Sequence, residues 1–454
     1  MSVTSPEPRN LKGSGIRSIS TREKVFVNRS PVLDQSKRIC AYRLDFIECA
    51  KRYDGLSVRT PGVEAVNAFL EATSPEAITS GRRGFVRCGL EEAGSLMGHA
   101  AWKGKIVPVL DAAALEKGTM PELSSMLGTF CLNNLVFIET MKPLLSSNCI
   151  AMIGVAHQEE AALSAHVWSL KSFLVTPFAT SVDTREAFDL ACRAGFDLLH
   201  GEFFRKPSVL TKASISPNHA LLLSLSAHAA READITVVED IFKKNPDLTF
   251  GLFNLVRSAF FHVPEDVTSI KQAITLLGYK NLQKWASLML FTINHSDPST
   301  NPLFENALVR ARTLEEAAEQ SLKDGAYMTG IFSIVPALFD VGIEEIVAKA
   351  NFAFEIREAL LFRAGTLGAM LEIVEGIERG AYEKANEMAH TLGIGLDAFL
   401  AAQGTAFAEC TAHEERRHTP PQGQGIDEAK RLPKEAAPTG KPSWLSRVHG
   451  LFRR

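Results

Sequence analysis

Metal-assisted hydrolysis would first be sought among the chain's twelve histidines, because neighbouring imidazoles and carboxylates hold divalent cations. None of the twelve is followed by aspartate. There is no His-Glu-x-x-His zinc helix, no Gly-x-Ser-x-Gly nucleophile turn and no Gly-x-Gly-x-x-Gly dinucleotide turn. GHAAWKGK (Gly98 to Lys105) is one residue too long for a P-loop and lacks the Ser or Thr that should follow. Asp111 and Glu139 close the apolar runs KIVPVLD and NLVFIET and can stand at strand ends, but two carboxylates are too few for a two-cation centre. Seven cysteines run from Cys40 to Cys410 without a Cys-x-x-Cys pair, which fits reduced thiols better than a disulfide framework. Cys40 and Cys49 read as buried structural thiols, and His157, His166 and His228 as surface or satisfied core groups.

These residues need elements to position them. At 454 residues two or three domains are expected, each able to bury its own core. From residue 25 to 207 strand-like and helical segments alternate, which implies an α/β domain with parallel strands. VFVN, ICAYRLDF, GFVRCG, KIVPVLD, NLVFIET, CIAMIGVA and SFLVTPF read as strands; GVEAVNAFLEA and TREAFDLACRAG read as helices. Such a domain is short for a complete eight-fold barrel, which typically takes about 250 residues.

From 208 to 410 every segment reads as helix. Ser216-Pro217 caps NHALLLSLSAHAARE, Thr236 with Glu239 is read as the capping box of VVEDIFKKN, and Asn301-Pro302 opens a helix with Phe304, Leu308, Ala311 and Leu314 on one face. Between them, Asp247 to Asn294 reads as three helices. Leu248, Leu252, Leu255, Val256 and Ala259 stripe the first. Ser269 caps the second, with Gln272 completing the box, and Gly278 ends it; Leu282, Trp285, Ala286 and Met289 face inward from the third.

Residues 1–24 are polar and read as a flexible leader without a signal sequence, and 411–442 as a disordered linker. From 411 onward nine basic residues face five acidic ones, a net +4 within a chain total of −3. The last twelve residues, 443–454, place Trp444, Leu445, Val448, Leu451 and Phe452 on one face opposite Arg447, a face suited to partner docking or to peripheral contact with an anionic membrane. No run reaches the ~18 apolar residues of a membrane span. Basic residues lack interleaved aromatics, so nucleic acid is not expected as a partner. The expected location is the cytoplasm.

LFNLVRSAFFHVPEDVTSIKQAITLLGYKNLQKWASL resembles the signature of HDOD domains, all-helical relatives of metal-dependent HD phosphohydrolases. The resemblance places Ser333-Ile334 where the enzymes carry their adjacent His-Asp metal pair. VFVNRSPVLDQSKRICAYRLDF and GFDLLHGEFFRKP are similar to the opening and closing motifs of EAL domains, barrel phosphodiesterases that hydrolyse cyclic di-GMP with two divalent cations. Against that pattern Arg43 replaces the naming glutamate, the paired aspartates fall near Gly154, Val155 and Ala156, and the Lys-x-Asp strand falls on Thr176-Pro177-Phe178. The two resemblances imply a degenerate, TIM-barrel-like EAL domain followed by an all-α HDOD domain in a bacterial signal-transduction protein. Neither metal site is expected to remain, and no catalytic residue, metal or cofactor is assigned. The expected role is a scaffold that binds a signalling protein, with self-association open. The alternative is a receptor for cyclic di-GMP or a related nucleotide, in which Arg29, Arg43 and Lys206 meet phosphates. A residual phosphodiesterase is the third reading, and Arg43 and Phe178 argue against it.

Overall fold

In this computed structural model the described residues are 24–52, 55–114, 128–133, 148–205, 215–256, 267, 269–291, 301–350 and 352–418. The candidates Lys206, Trp444, Leu445, Val448, Leu451 and Phe452 lie outside them, as does Glu139.

Nine strands form one sheet: β1 (Lys24–Leu33), β2 (Ile39–Arg52), β3 (Gly55–Arg59), β4 (Arg83–Arg87), β5 (Ile106–Asp111), β6 (Phe130–Asn133), β7 (Cys149–Gly154), β8 (Thr176–Thr180) and β9 (Leu198–Leu199). Their order is β1-β9-β8-β7-β6-β5-β4-β2-β3, and β1 also pairs with β2. That extra pairing closes eight strands into a ring and leaves β3 outside, on β2 alone. The ring is parallel from β2 through β9, while β1 runs antiparallel to both its neighbours. A barrel therefore closes within a length that seemed short for one, because the β1–β2 hairpin replaces a full βα unit.

Side chains alternate across each strand. Val32, Ala41, Phe85, Val107, Val109, Cys131, Ile150, Met152 and Phe178 fill the lumen. The opposite faces pack under helices α1 (Val63–Ala72), α2 (Pro75–Thr79), α3 (Leu90–Met97), α4 (Glu160–Ser172) and α5 (Arg185–Ala194), in a layer with Leu70, Leu110, Trp102, Leu163 and Phe196. The FCLN segment forms β6, and NLVFIET lies outside the described residues.

The helical domain begins with α6 (Pro217–Ala230), α7 (Ile235–Lys243) and α8 (Pro246–Val256). It continues through α9 (Ile270–Leu277), α10 (Tyr279–Met289), α11 (Pro302–Ala317), α12 (Lys323–Phe332) and α13 (Val335–Phe339). It ends with α14 (Ile343–Ala350), α15 (Phe354–Phe362), α16 (Gly365–Glu378), α17 (Tyr382–Thr391) and α18 (Leu396–His418). Ser216, Ser269 and Asn301 cap their helices as expected, accepting from His219, Gln272 and Leu303 backbone N–H groups. The cap of α7 is Asp234 rather than Thr236: its carboxylate accepts from both the N–H and the hydroxyl of Thr236. One hydrophobic core runs from Leu222 to Leu400, and Ile47 and Cys49 of β2 belong to it. The far half of β2 thus leaves the ring and packs into the helical domain.

Candidate functional site

The C-terminal ends of parallel barrel strands leave backbone groups and loops converging on one mouth, where barrel enzymes place their chemistry. Here that mouth opens into a cavity of about 880 Å³. Barrel residues Ser30, Arg43, Asp45, Arg87, Asn133, Asp183, His200 and Glu202 line it, and so do Glu378, Arg379, Gly380 and Tyr382 from the helical domain. The α16–α17 turn therefore forms one wall of the barrel mouth. Asn28 fixes that wall to β1, donating to the Ile377 carbonyl at 2.9 Å and to the Tyr382 hydroxyl at 3.2 Å.

Strand register decides which arginine enters the cavity. Ser30 pairs across Arg43 and Arg29 pairs across Leu44. Arg43 reaches the mouth, where its guanidinium lies 3.1 Å from Asp45. Arg29 does not line the cavity, which corrects its assignment as a phosphate ligand. It is 5% exposed and is consumed at the domain interface. It donates to the Ile78 carbonyl and, at 3.0 Å, to Glu305 of α11; its guanidinium sits 4.7 Å from the Tyr42 ring and 4.3 Å from that of Phe407. Burial on both faces of β1 erased the alternation that would have distinguished the two arginines.

At the floor, Ser30 Oγ and His200 Nε2 are 2.9 Å apart. Desolvation, assisted by the nearby Arg43 and Arg205 guanidiniums, pushes the His200 pKa down to about 3, so the ring stays neutral. Beside it, Glu202 takes a two-pronged ion pair from Arg205, at 2.7 and 2.9 Å, and Arg205 reaches on to Glu378 at 3.6 Å. Arg310 of α11 clasps Glu378 at 2.6 and 3.0 Å and donates to Ser333 Oγ at 2.7 Å. Burial alone would raise the Glu378 pKa, but Arg310 and Arg205 outweigh it and hold the carboxylate below its ordinary value.

Arg43 presents its guanidinium in the mouth, and Phe178 packs in the lumen 5.2 Å from Phe85. Asp111 is exposed and accepts from the Ala113 N–H. Val155 is buried beside Gly154, and neither carries a ligand atom in its side chain. Ser333 is engaged by Arg310. Among the described residues no group of three or more His, Cys, Asp or Glu is placed to hold a metal. His200, Glu202, Glu378 and Arg379 were not singled out from the sequence. The first two fall within the EAL-like closing motif, which was a usable signal; the last two lie in an ordinary helix end and gave none.

Burial pushes the Cys40 thiol up to about 11 and the Cys49 thiol up to about 12. No helix among the described residues is long and apolar enough to cross a membrane.

The HDOD domain family matches residues 217–335. The chain is 28% identical over 224 residues to the cyclic di-GMP phosphodiesterase CdgJ of Vibrio cholerae, covering 48% of this chain and 51% of that one. It therefore spans about half the length of that relative. It is 24% identical over 392 residues to the uncharacterized protein YuxH of Bacillus subtilis, covering 81% of this chain and 94% of that one. Among solved structures, an EAL domain protein from Listeria monocytogenes aligns with TM-score 0.31 and 8% identity over 40% of this chain and 87% of that one. The barrel assignment rests on the strand order itself, not on that overlay. Residues 217–335 carry an HDOD domain, and an eight-stranded α/β barrel precedes it.

Proposed function

We propose that this protein is a non-catalytic signal-transduction scaffold, in which both domains bind rather than hydrolyse and the HDOD surface engages a protein partner. The observation that carries the reading is Arg43. Its guanidinium enters the barrel mouth at the position of the naming glutamate and is neutralised locally by Asp45, 3.1 Å away. A guanidinium cannot coordinate a cation and does not deprotonate to make room for one. Phe178 in the lumen and Ser333 held by Arg310 support the same reading in the two domains. The cytoplasm remains the proposed location.

A second reading, a receptor that holds cyclic di-GMP or a similar nucleotide without cleaving it, is favoured by Arg43 itself, since guanidinium forks match phosphate oxygens. The name of the Vibrio cholerae relative favours hydrolysis instead. A single assay separates hydrolysis from both other readings: purified full-length protein incubated with cyclic di-GMP and Mg²⁺ or Mn²⁺, with products resolved chromatographically. The scaffold and receptor readings expect intact nucleotide. Cleavage at enzymatic turnover that survives removal of contaminants would sink both.

A further inference from the structure

We infer that the barrel serves the HDOD domain as the donor of a hairpin arm, β2 with β3, that completes the helical core, so that the helical domain is a stable unit only with the barrel attached. Strand lengths mark the arm. The ring strands β4 to β8 run 4 to 6 residues, whereas β2 runs 14. On β2, the register with β4 covers Ala41 to Leu44. Beyond Leu44, β2 is held by β1, as far as the pairing of Lys24 with Cys49, and by β3 from Glu48 to Arg52. A three-stranded antiparallel ribbon therefore projects from the ring.

The two sides of that ribbon differ. Alternation along β2 puts Ala41 in the lumen, Arg43 and Asp45 in the mouth, and Ile47 and Cys49 in the helical core, all on one side of the strand. Phe26 stands opposite Ile47 and Val58 opposite Cys49, with Leu56 two residues from Val58; these three pack against the same core. The other side carries Glu48 and Arg59, paired with each other at 2.6 Å. Ile47 and Cys49 are each 2% exposed, and the other buried members of their cluster all lie in the helical domain.

Polar contacts fix the ribbon to α16 and α17. Asn386 of α17 donates to the Leu56 carbonyl at 3.0 Å, so a backbone acceptor at the sheet's edge is satisfied by the HDOD domain. Asn28 of β1 adds its bonds to the Ile377 carbonyl and the Tyr382 hydroxyl. The dependence runs one way. The ring closes through β1–β2 and β1–β9 pairs that involve no helical residue, whereas the helical core without the arm would open to water the apolar surface that Ile47, Cys49 and Val58 cover. A protein engaged by the HDOD domain meets it on another face. This holds whether the barrel mouth binds a nucleotide, cleaves one or does neither.

The test is hydrogen exchange read by mass spectrometry, with alkylation of Cys49 by iodoacetamide followed in parallel, on the full chain as wild type, Ile47→Val and Ile47→Ala. Although Ile47 is a barrel-strand residue, α16 and α17 amides should exchange several-fold faster in Ile47→Val and at least about thirtyfold faster in Ile47→Ala, the losses expected for trimming a buried isoleucine. In wild type Cys49 should become accessible only in the openings that expose those amides. Ile47→Val keeps the comparison readable where Ile47→Ala does not fold. Faster exchange confined to barrel amides, with α16 and α17 as in wild type, overturns the arm's role. So does rapid alkylation of Cys49 in a wild-type chain whose α16 and α17 amides stay protected.

Discussion

Replacing Glu305 with alanine should uncouple the two domains. Its carboxylate is shared between Arg29, at 3.0 Å, and the Tyr42 hydroxyl, at 2.7 Å, both on the barrel side. The Arg29 and Glu305 side chains are 1% and 15% exposed, so this is a buried pair rather than a surface one. Removing one partner of such a pair typically costs about 3–5 kcal/mol, because a buried charge loses its counter-ion. The Ile78 carbonyl and the Tyr42 and Phe407 rings still contact Arg29, and Glu305 keeps some access to water, so the lower end, about 3 kcal/mol, is expected. The measurement is urea denaturation followed by hydrogen exchange resolved along the chain. Wild type should lose barrel and helical protection together; Glu305→Ala should lose them in separate steps. The double variant Arg29→Met with Glu305→Leu removes both charges and should recover much of the loss. A change in Glu305→Ala below about 0.5 kcal/mol, with the steps still coincident, would refute the assignment of this pair as the joint.

Gly330→Ala should destabilise the HDOD core by about 2–3 kcal/mol in the same denaturation, because the added carbon would lie 2.5 Å from the Ala311 Cα and 2.7 Å from its nitrogen. His200 has a folded pKa of about 3 against an ordinary value of 6.5. As pH falls below 6.5 the unfolded chain takes up a proton that the folded one refuses, so this contribution is complete above 6.5 and shrinks toward pH 3. Discounted for partial solvent access, it amounts to about 2 kcal/mol between pH 6.5 and 4, and His200→Gln should flatten that part of the stability profile. Arg43→Glu, which restores the naming carboxylate, should still give no metal-dependent cleavage of cyclic di-GMP, since Gly154, Thr176 and Phe178 leave the remaining ligands missing. Turnover in that variant would show the rest of the site to be competent.

Local signals were legible where a few neighbouring residues decide the outcome. The Ser216, Ser269 and Asn301 caps need only one side chain and a backbone N–H three or fewer residues away. The cap at Asp234 was missed because Thr236 offers the same chemistry two residues later, and only the observed bonds show that Thr236 is a donor there. Barrel closure was legible only through the resemblance of the opening and closing motifs, because the pairing of β1 with β9 joins Leu33 to Leu199 without any local mark. The mouth was half legible. Arg43 lies in a motif, whereas Arg379 enters the site only through the packing of α16 and α17 on β1.

Arginines in the two domains share one physical logic. In the barrel Arg43 pairs with Asp45, and in the helical domain Arg310 holds Ser333 and Glu378. A guanidinium supplies the charge of a cation and a fork of directed donors, but it holds no exchangeable water and lowers no water pKa. What it does instead is fix carboxylates in place. From Glu202 through Arg205, Glu378 and Arg310 to Glu375 and Arg363, successive ion pairs of 2.7, 3.6, 2.6, 3.4 and 3.0 Å run from the barrel mouth into the HDOD core. The charge of these side chains joins two domains, and Glu378→Gln should accordingly weaken the joint from the mouth side as Glu305→Ala does from the other.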